Sequence, residues 1–205
     1  MSPSKPLTGA AFHDPLNTGP RPTHDHPTGG LFSIYAETAI AAPPRAVHDA
    51  LLDINAWPAW NSFVPEVHIT SHPHSHLANL RMVEGTNMIF HLQITPTERI
   101  TTRQACSHIG ELRTLRDHAA PAVTRIRWDL HNATSMVPGF MLKAQRVNEI
   151  EDLGDGRTWE TFAGWRASHY RKAYEGALRE RFAEWCRDLK GYVEGGAGAK
   201  EKSAA

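Results

Sequence analysis

Along this chain the apolar residues first alternate with polar ones and later recur at helical spacing. In NMIFHLQI, residues 87–94, Met88, Phe90, Leu92 and Ile94 fall on one side, with Asn87, His91 and Gln93 opposite. VTRIRWDLH, residues 123–131, sets Ile126, Trp128 and Leu130 against Arg125, Arg127, Asp129 and His131. A period of two predicts antiparallel strands, wet on one face and covered on the other. Near the C-terminus Tyr170, Ala173, Tyr174, Ala177, Leu178, Phe182, Trp185, Leu189 and Tyr192 recur every three or four residues. That stripe predicts one long amphipathic helix over 168–192.

The remaining elements follow from spacing and breakers. A strand is predicted over 31–40. Pro43 and Pro44 suit a first helical turn, where an amide proton has no intrahelical partner. Val47, Leu51, Leu52 and Ile54 then give one buried face, so a helix is predicted over 44–56. Pro58 ends it, and a short helical turn follows over 58–63. Strands are predicted over 66–71, 78–83, 87–94, 98–107, 123–131, 143–152 and 157–166. The long helix then lies on the covered face of a curved antiparallel sheet, an α+β architecture.

Composition narrows the function more than the fold. At 205 residues, 40% of them hydrophobic, the chain suits one domain with tails. Residues 1–30, rich in Pro, Gly, Thr and His, read as a disordered leader, 31–193 as the domain, and 194–205 as a flexible tail. Lys+Arg and Asp+Glu are both 22, which argues against a nucleic-acid surface. No run is long and apolar enough for a membrane span. The two cysteines, Cys106 and Cys186, form no framework, and the N-terminus lacks the apolar core of a signal peptide, so a soluble cytoplasmic protein is expected. The histidines of SHPHSHL, His72, His74 and His76, alternate as ligands can, but beside prolines in a loop they read as adventitious binders. With no nucleophile triad, metal motif or phosphate loop, neither a metal nor a cofactor is expected.

A strand ending in IAAPP, the helix RAVHDALLDINAWPAWN, further strands and one long C-terminal helix resemble the SRPBCC superfamily. That group includes START lipid-transfer domains, pollen-allergen-type proteins and polyketide cyclases/dehydratases. The resemblance covers about residues 32–192. RTWETFAGWRASHYRKAYEGALRERFAEWCRDLKGYVE is most similar to fungal members of the polyketide cyclase and lipid-transport branch. The resemblance implies a helix-grip fold with a deep, mostly apolar cavity between sheet and helix. It also implies that Trp57, Trp60 and Phe63 sit near the cavity mouth.

Polar residues on the inner face of such a sheet are the candidates for chemistry. With a turn at Leu153–Gly156, Ile150 faces Trp159, Asn148 faces Thr161 and Arg146 faces Ala163. Arg146 is then a permanent charge on an apolar face, calling for a carboxylate or an oxygen-rich ligand. Arg146, assisted by Asn148, Thr161 and Gln104, is the expected catalytic or anchoring set. Phe90, Leu92, Trp128, Trp159, Tyr170, Tyr174 and Trp60 are the expected ligand wall. An internal acid paired with Arg146 is the structural alternative, and ordinary core hydrogen bonds are that for Thr102 and Gln104. Cys106 reads as a packed thiol, and Asp129 and His131 as a reserve acid–base pair turned to solvent. Two functions fit: a cyclase/dehydratase acting on a hydrophobic, oxygenated, polyketide-like molecule, or a carrier that leaves such a ligand unchanged. The apolar loop of Met136, Val137 and Phe140–Leu142 suits a lid, a homodimer contact or a partner-binding surface.

Overall fold

In the computed structural model the described residues are 6–23, 27–28, 32–131, 144–154, 158–164 and 168–201. For 158–164, 168–174 and 197–201 the description is of backbone only. The elements are α1 (Ala10–His13), β1 (Ile34–Ile40), α2 (Pro44–Leu52), α3 (Trp57–Trp60), β2 (Glu66–Ser71), β3 (Asn87–Thr95), β4 (Glu98–Ile109), β5 (Ala122–Leu130), β6 (Gln145–Asp152), β7 (Thr158–Gly164) and α4 (Ser168–Glu201).

The strands form one seven-stranded sheet in the order β1-β7-β6-β5-β4-β3-β2, antiparallel throughout. Register shifts within the β2–β3, β3–β4 and β4–β5 pairs bend it, as extra residues in a ladder do. The alternation read from the sequence is the alternation observed: Met88, Phe90, Leu92 and Ile94 of β3 are buried, as are Ile126 and Trp128 of β5. The long helix α4 packs across the sheet against β1 and β3 and meets α2 and α3. Its buried stripe is Leu178, Phe182, Trp185, Cys186, Leu189 and Val193, while Tyr192 is exposed. This is the helix-grip arrangement, a curved antiparallel sheet holding one long C-terminal helix.

Three local expectations fail, each for a visible reason. The segment 78–83 is not a strand. Its backbone closes off the end of α2 instead: the Met82 amide donates to the Leu52 carbonyl at 2.8 Å, and Asn55 Nδ2 donates to the Leu80 carbonyl at 2.7 Å. The helix read as 44–56 stops at Leu52, and α3 begins only at Trp57. The leader read as disordered is, over 6–23, tied to the domain. Arg21, 2% exposed, donates to the carbonyls of Phe12, Asp14 and Asn17 and to Ser33 Oγ, each at 2.7 Å. Its guanidinium also lies 4.7 Å from the Tyr35 ring centre, and the Ser33 amide donates to the Thr18 carbonyl. One buried arginine so satisfied fixes a stretch whose composition alone suggests a coil.

Candidate functional site

The inner face of the sheet is dominated by aromatic rings. Trp57, wholly buried, lies within 5.0–6.3 Å, centre to centre, of Trp60, Phe90, Trp128 and Trp185. These contacts are mostly edge-to-face, the arrangement ring quadrupoles favour. The expectation that Trp57 stands at a cavity mouth is corrected: it is the hub of the core. Trp60 is wedged between Trp57, Trp185 and Tyr192, on which it stacks at 5.7 Å. Its position is a helix–helix contact.

Beside this cluster lies a cavity of about 30 Å³, lined by Phe63, Phe90, Leu92, Gln104, Trp128, Ala144, Gln145, Arg146 and Phe182. That is room for one or two waters. Around it Trp57, Trp128, Trp185, Phe63, Phe90 and Phe182 pack into one buried cluster.

Arg146 shares a strand face with Asn148 and Ile150, all three buried; on the other face Gln145, Glu149 and Glu151 are half-exposed, although Val147 is buried there too. It is paired across the sheet with Trp128 of β5. Its guanidinium carbon stands 4.5 Å from the centre of the Trp185 ring, 5.1 Å from Phe182, 5.3 Å from Phe63 and 5.4 Å from Trp128. All four fall within the range of cation–π attraction, which strengthens as water is removed. The charge thus sits in an aromatic cage built by β5, β6, α4 and the chain after α3. The separate signals for this cage were legible, the parity of β5 and β6 and the stripe of α4, but their convergence on one arginine was not.

Gln104, on β4, lines the same cavity, with Nε2 donating to Thr102 Oγ1 at 3.0 Å. Asn148 is wholly buried one step along β6 from Arg146 on the same face, and neither Oδ1 nor Nδ2 meets a hydrogen-bond partner among the described residues. The hairpin register differs from expectation by one residue. Ile150 pairs with Glu160 and Asn148 with Phe162, whereas Thr161 pairs with Glu149 and Trp159 with Glu151. The connection between β6 and β7 spans 153–157, five residues, where a four-residue turn was expected. A slip of one residue exchanges the two faces of a strand. Thr161 and Trp159 therefore hold register positions shared with Glu149 and Glu151, and the pairing does not bring them to Arg146. The side chains of Trp159, Thr161, Tyr170 and Tyr174, and the loop 136–142, lie outside the described residues.

Other candidates are placed plainly. Burial pushes the Cys106 thiol up to about 12, as befits a packed group and not a nucleophile. Asp129, half-buried, takes a hydrogen bond from Gln145 Nε2 at 2.9 Å, and His131 is exposed. His72 uses both ring nitrogens on backbone, Nε2 on the Arg81 carbonyl and Nδ1 on the His74 amide. No helix among the described residues is long and apolar enough to cross a membrane.

Comparison with known proteins agrees with the fold. No family model matches the chain. Oxopyrrolidines biosynthesis cluster protein O of Penicillium oxalicum is 28% identical over 123 residues, which are 57% of this chain and 58% of that protein. The chain thus matches little more than half the length of this relative. A Zhui aromatase/cyclase from a Streptomyces species superposes with a TM-score of 0.56 at 13% identity, covering 79% of this chain and 93% of that one. A START superfamily protein from Mycobacterium smegmatis gives 0.52 at 16% identity, covering 79% and 97%. The chain shares the helix-grip fold of these structures.

Proposed function

We propose that this chain binds a hydrophobic, oxygenated small molecule of the polyketide type between the inner face of β4–β6 and α4, with Arg146 as its polar anchor, and promotes its cyclisation or dehydration. The observation that carries the reading is the charged guanidinium of Arg146 held among four aromatic rings at a cavity otherwise lined mainly by Phe63, Phe90, Leu92, Trp128 and Phe182. Rings meet a guanidinium on its faces, whereas its donors lie in its plane, so stacking is compatible with gripping ligand oxygens. In a site poor in water such donors stabilise the enolate formed when a β-dicarbonyl chain cyclises, and positioning supplies much of the remaining acceleration. Gln104, on the same cavity, would orient a carbonyl. The similarity to a biosynthesis cluster protein of Penicillium oxalicum supports a place in secondary metabolism.

A second reading, a carrier that leaves its ligand unchanged, is favoured by one observation. Among the described residues lining this cavity, the polar ones are Gln104, Gln145 and Arg146, and none is a carboxylate, histidine or thiol suited to general acid–base work. Native mass spectrometry of gently purified protein, followed by turnover assays on the ligand found, separates the two. Arg146→Ala, shown folded by circular dichroism, is expected to lose about 2–4 kcal/mol of ligand or transition-state stabilisation. Arg146→Lys should recover part of it, because the fork geometry is lost. Unchanged binding and turnover in folded Arg146→Ala would end the proposal. Binding lost with no turnover in the parent chain would select the carrier.

A further inference from the structure

On the solvent side of the sheet, three potential metal ligands converge that no linear motif announces. Glu66 and His68 stand two residues apart on β2 and so share a face. His91 of β3 is paired directly opposite Glu66. One ligand atom from each residue can be chosen so that all three lie within 4.8 Å of one another. Glu66 Oε1 and His68 Nε2 are already 2.8 Å apart, and the His68 and His91 rings meet edge to face at 5.5 Å. Bonds of about 2.0–2.2 Å to a tetrahedral zinc ion place its ligand atoms roughly 3.3–3.5 Å apart, so small side-chain rotations suffice.

We infer that Glu66, His68 and His91 form a binding site for a divalent transition-metal ion of the zinc class. Two imidazoles and one carboxylate are donors suited to Zn²⁺, and three protein ligands leave a coordination position for water or an outside donor. The backbone of the paired strands fixes the spacing of all three, which a loop such as 72–76 does not. Thr101 of β4 supports the arrangement: its Oγ1 lies 3.1 Å from His91 Nδ1. When Nδ1–H donates there, Nε2 carries the lone pair, the usual second contact of a metal-bound histidine. The side chains of His68 and Glu66 are 58% and 48% exposed, so an ion arrives directly from solvent. Because β2 is an edge strand, the bound ion would clip it to β3. This site is independent of the Arg146 cavity on the opposite face.

The test uses the full chain without an affinity tag, titrated with Zn²⁺ near neutral pH by calorimetry and by thermal melting. Saturable binding of one ion per chain with a rise in Tm is expected, since an ion that binds only the folded state stabilises it by mass action. His68→Ala and His91→Ala should each abolish both effects while leaving the circular dichroism spectrum unchanged. The His74→Ala/His76→Ala double variant should retain both effects. Thr101→Val should weaken binding about tenfold and shift the ring-nitrogen resonances of His91 toward the other tautomer. Absence of binding in the parent chain, binding that survives His91→Ala, or binding lost only with His74 and His76 would each overturn the inference.

Discussion

The two faces of β5 and β6 hold arginine in opposite ways. On the outer face Arg125 stands directly across from Glu149 and donates to it at 2.6 Å, with the arginine side chain 53% exposed. On the inner face Arg146 stands directly across from Trp128 and is 9% exposed among aromatic rings. The outer pair needs only the strand register, whereas the inner arrangement also needs Phe182 and Trp185 from α4 and Phe63 from the turn after α3. One is a local surface contact screened by water, the other a tertiary assembly that exists only once the domain has closed. The energetic weight of an arginine in this fold therefore depends on how many elements must meet to hold it.

The comparison is broken most severely by removing the hub of the inner side. Trp57→Ala should destabilise the chain by about 3–5 kcal/mol, read as a shift of the urea midpoint, because a filled aromatic core relaxes poorly around a large void. A loss below 1 kcal/mol would mean that the rings are loosely held and that the interior opens readily. Asn148→Leu probes the same face in the opposite sense. Its amide is wholly buried without a partner among the described residues, so an apolar replacement of similar size should raise stability by about 1–2 kcal/mol in ligand-free protein. A loss instead would show that the amide is satisfied by bound water or ligand.

Cys106 gives the interior a pH signature. Its thiol is raised to about 12 by desolvation, above the ordinary value of 9.0. The folded state therefore keeps its proton where the unfolded state has lost it. This contribution is constant below about pH 9 and is lost as pH rises from there to about 12. Denaturant melts of the parent chain should fall more steeply over that window than those of Cys106→Ala, and thiol reagents should label Cys106 only on unfolding. The smallest effect belongs to the outer face. Arg125→Ala should cost no more than about 1 kcal/mol, and the difference should shrink further in high salt.

What could be read from the sequence divides along the same line. Period-two and helical spacing are properties of single elements, so β3, β5 and the stripe of α4 were legible, and so was the inward direction of Arg146 on β6. The strand wrongly read at 78–83 and the register of β7 depend on partners elsewhere. Met82 is drawn to the carbonyl end of α2, and one additional loop residue exchanges the faces of Thr161 and Trp159. The Glu66–His68–His91 cluster escaped notice for the same reason, since His91 lies 25 and 23 residues from its companions and is brought back by pairing alone.

The pairing of the first strand with the last has a consequence for how the molecule is made. Among the described strands β1 pairs with β7 alone, and its other strongest packing partner is α4. An apolar segment, IYAETAI, must therefore leave the ribosome about 120 residues ahead of the strand that pairs with it. At ordinary elongation rates of about 5–20 residues per second, that is a wait of roughly 6–25 seconds with an open β-edge. Contacts so distant in sequence also slow closure of the finished chain. Yield in cells should consequently depend on growth temperature and on holding chaperones, and a circular permutant that begins at β6, with β7 made before β1 and separated from it by α4 and the residues before β1, would shorten the exposure.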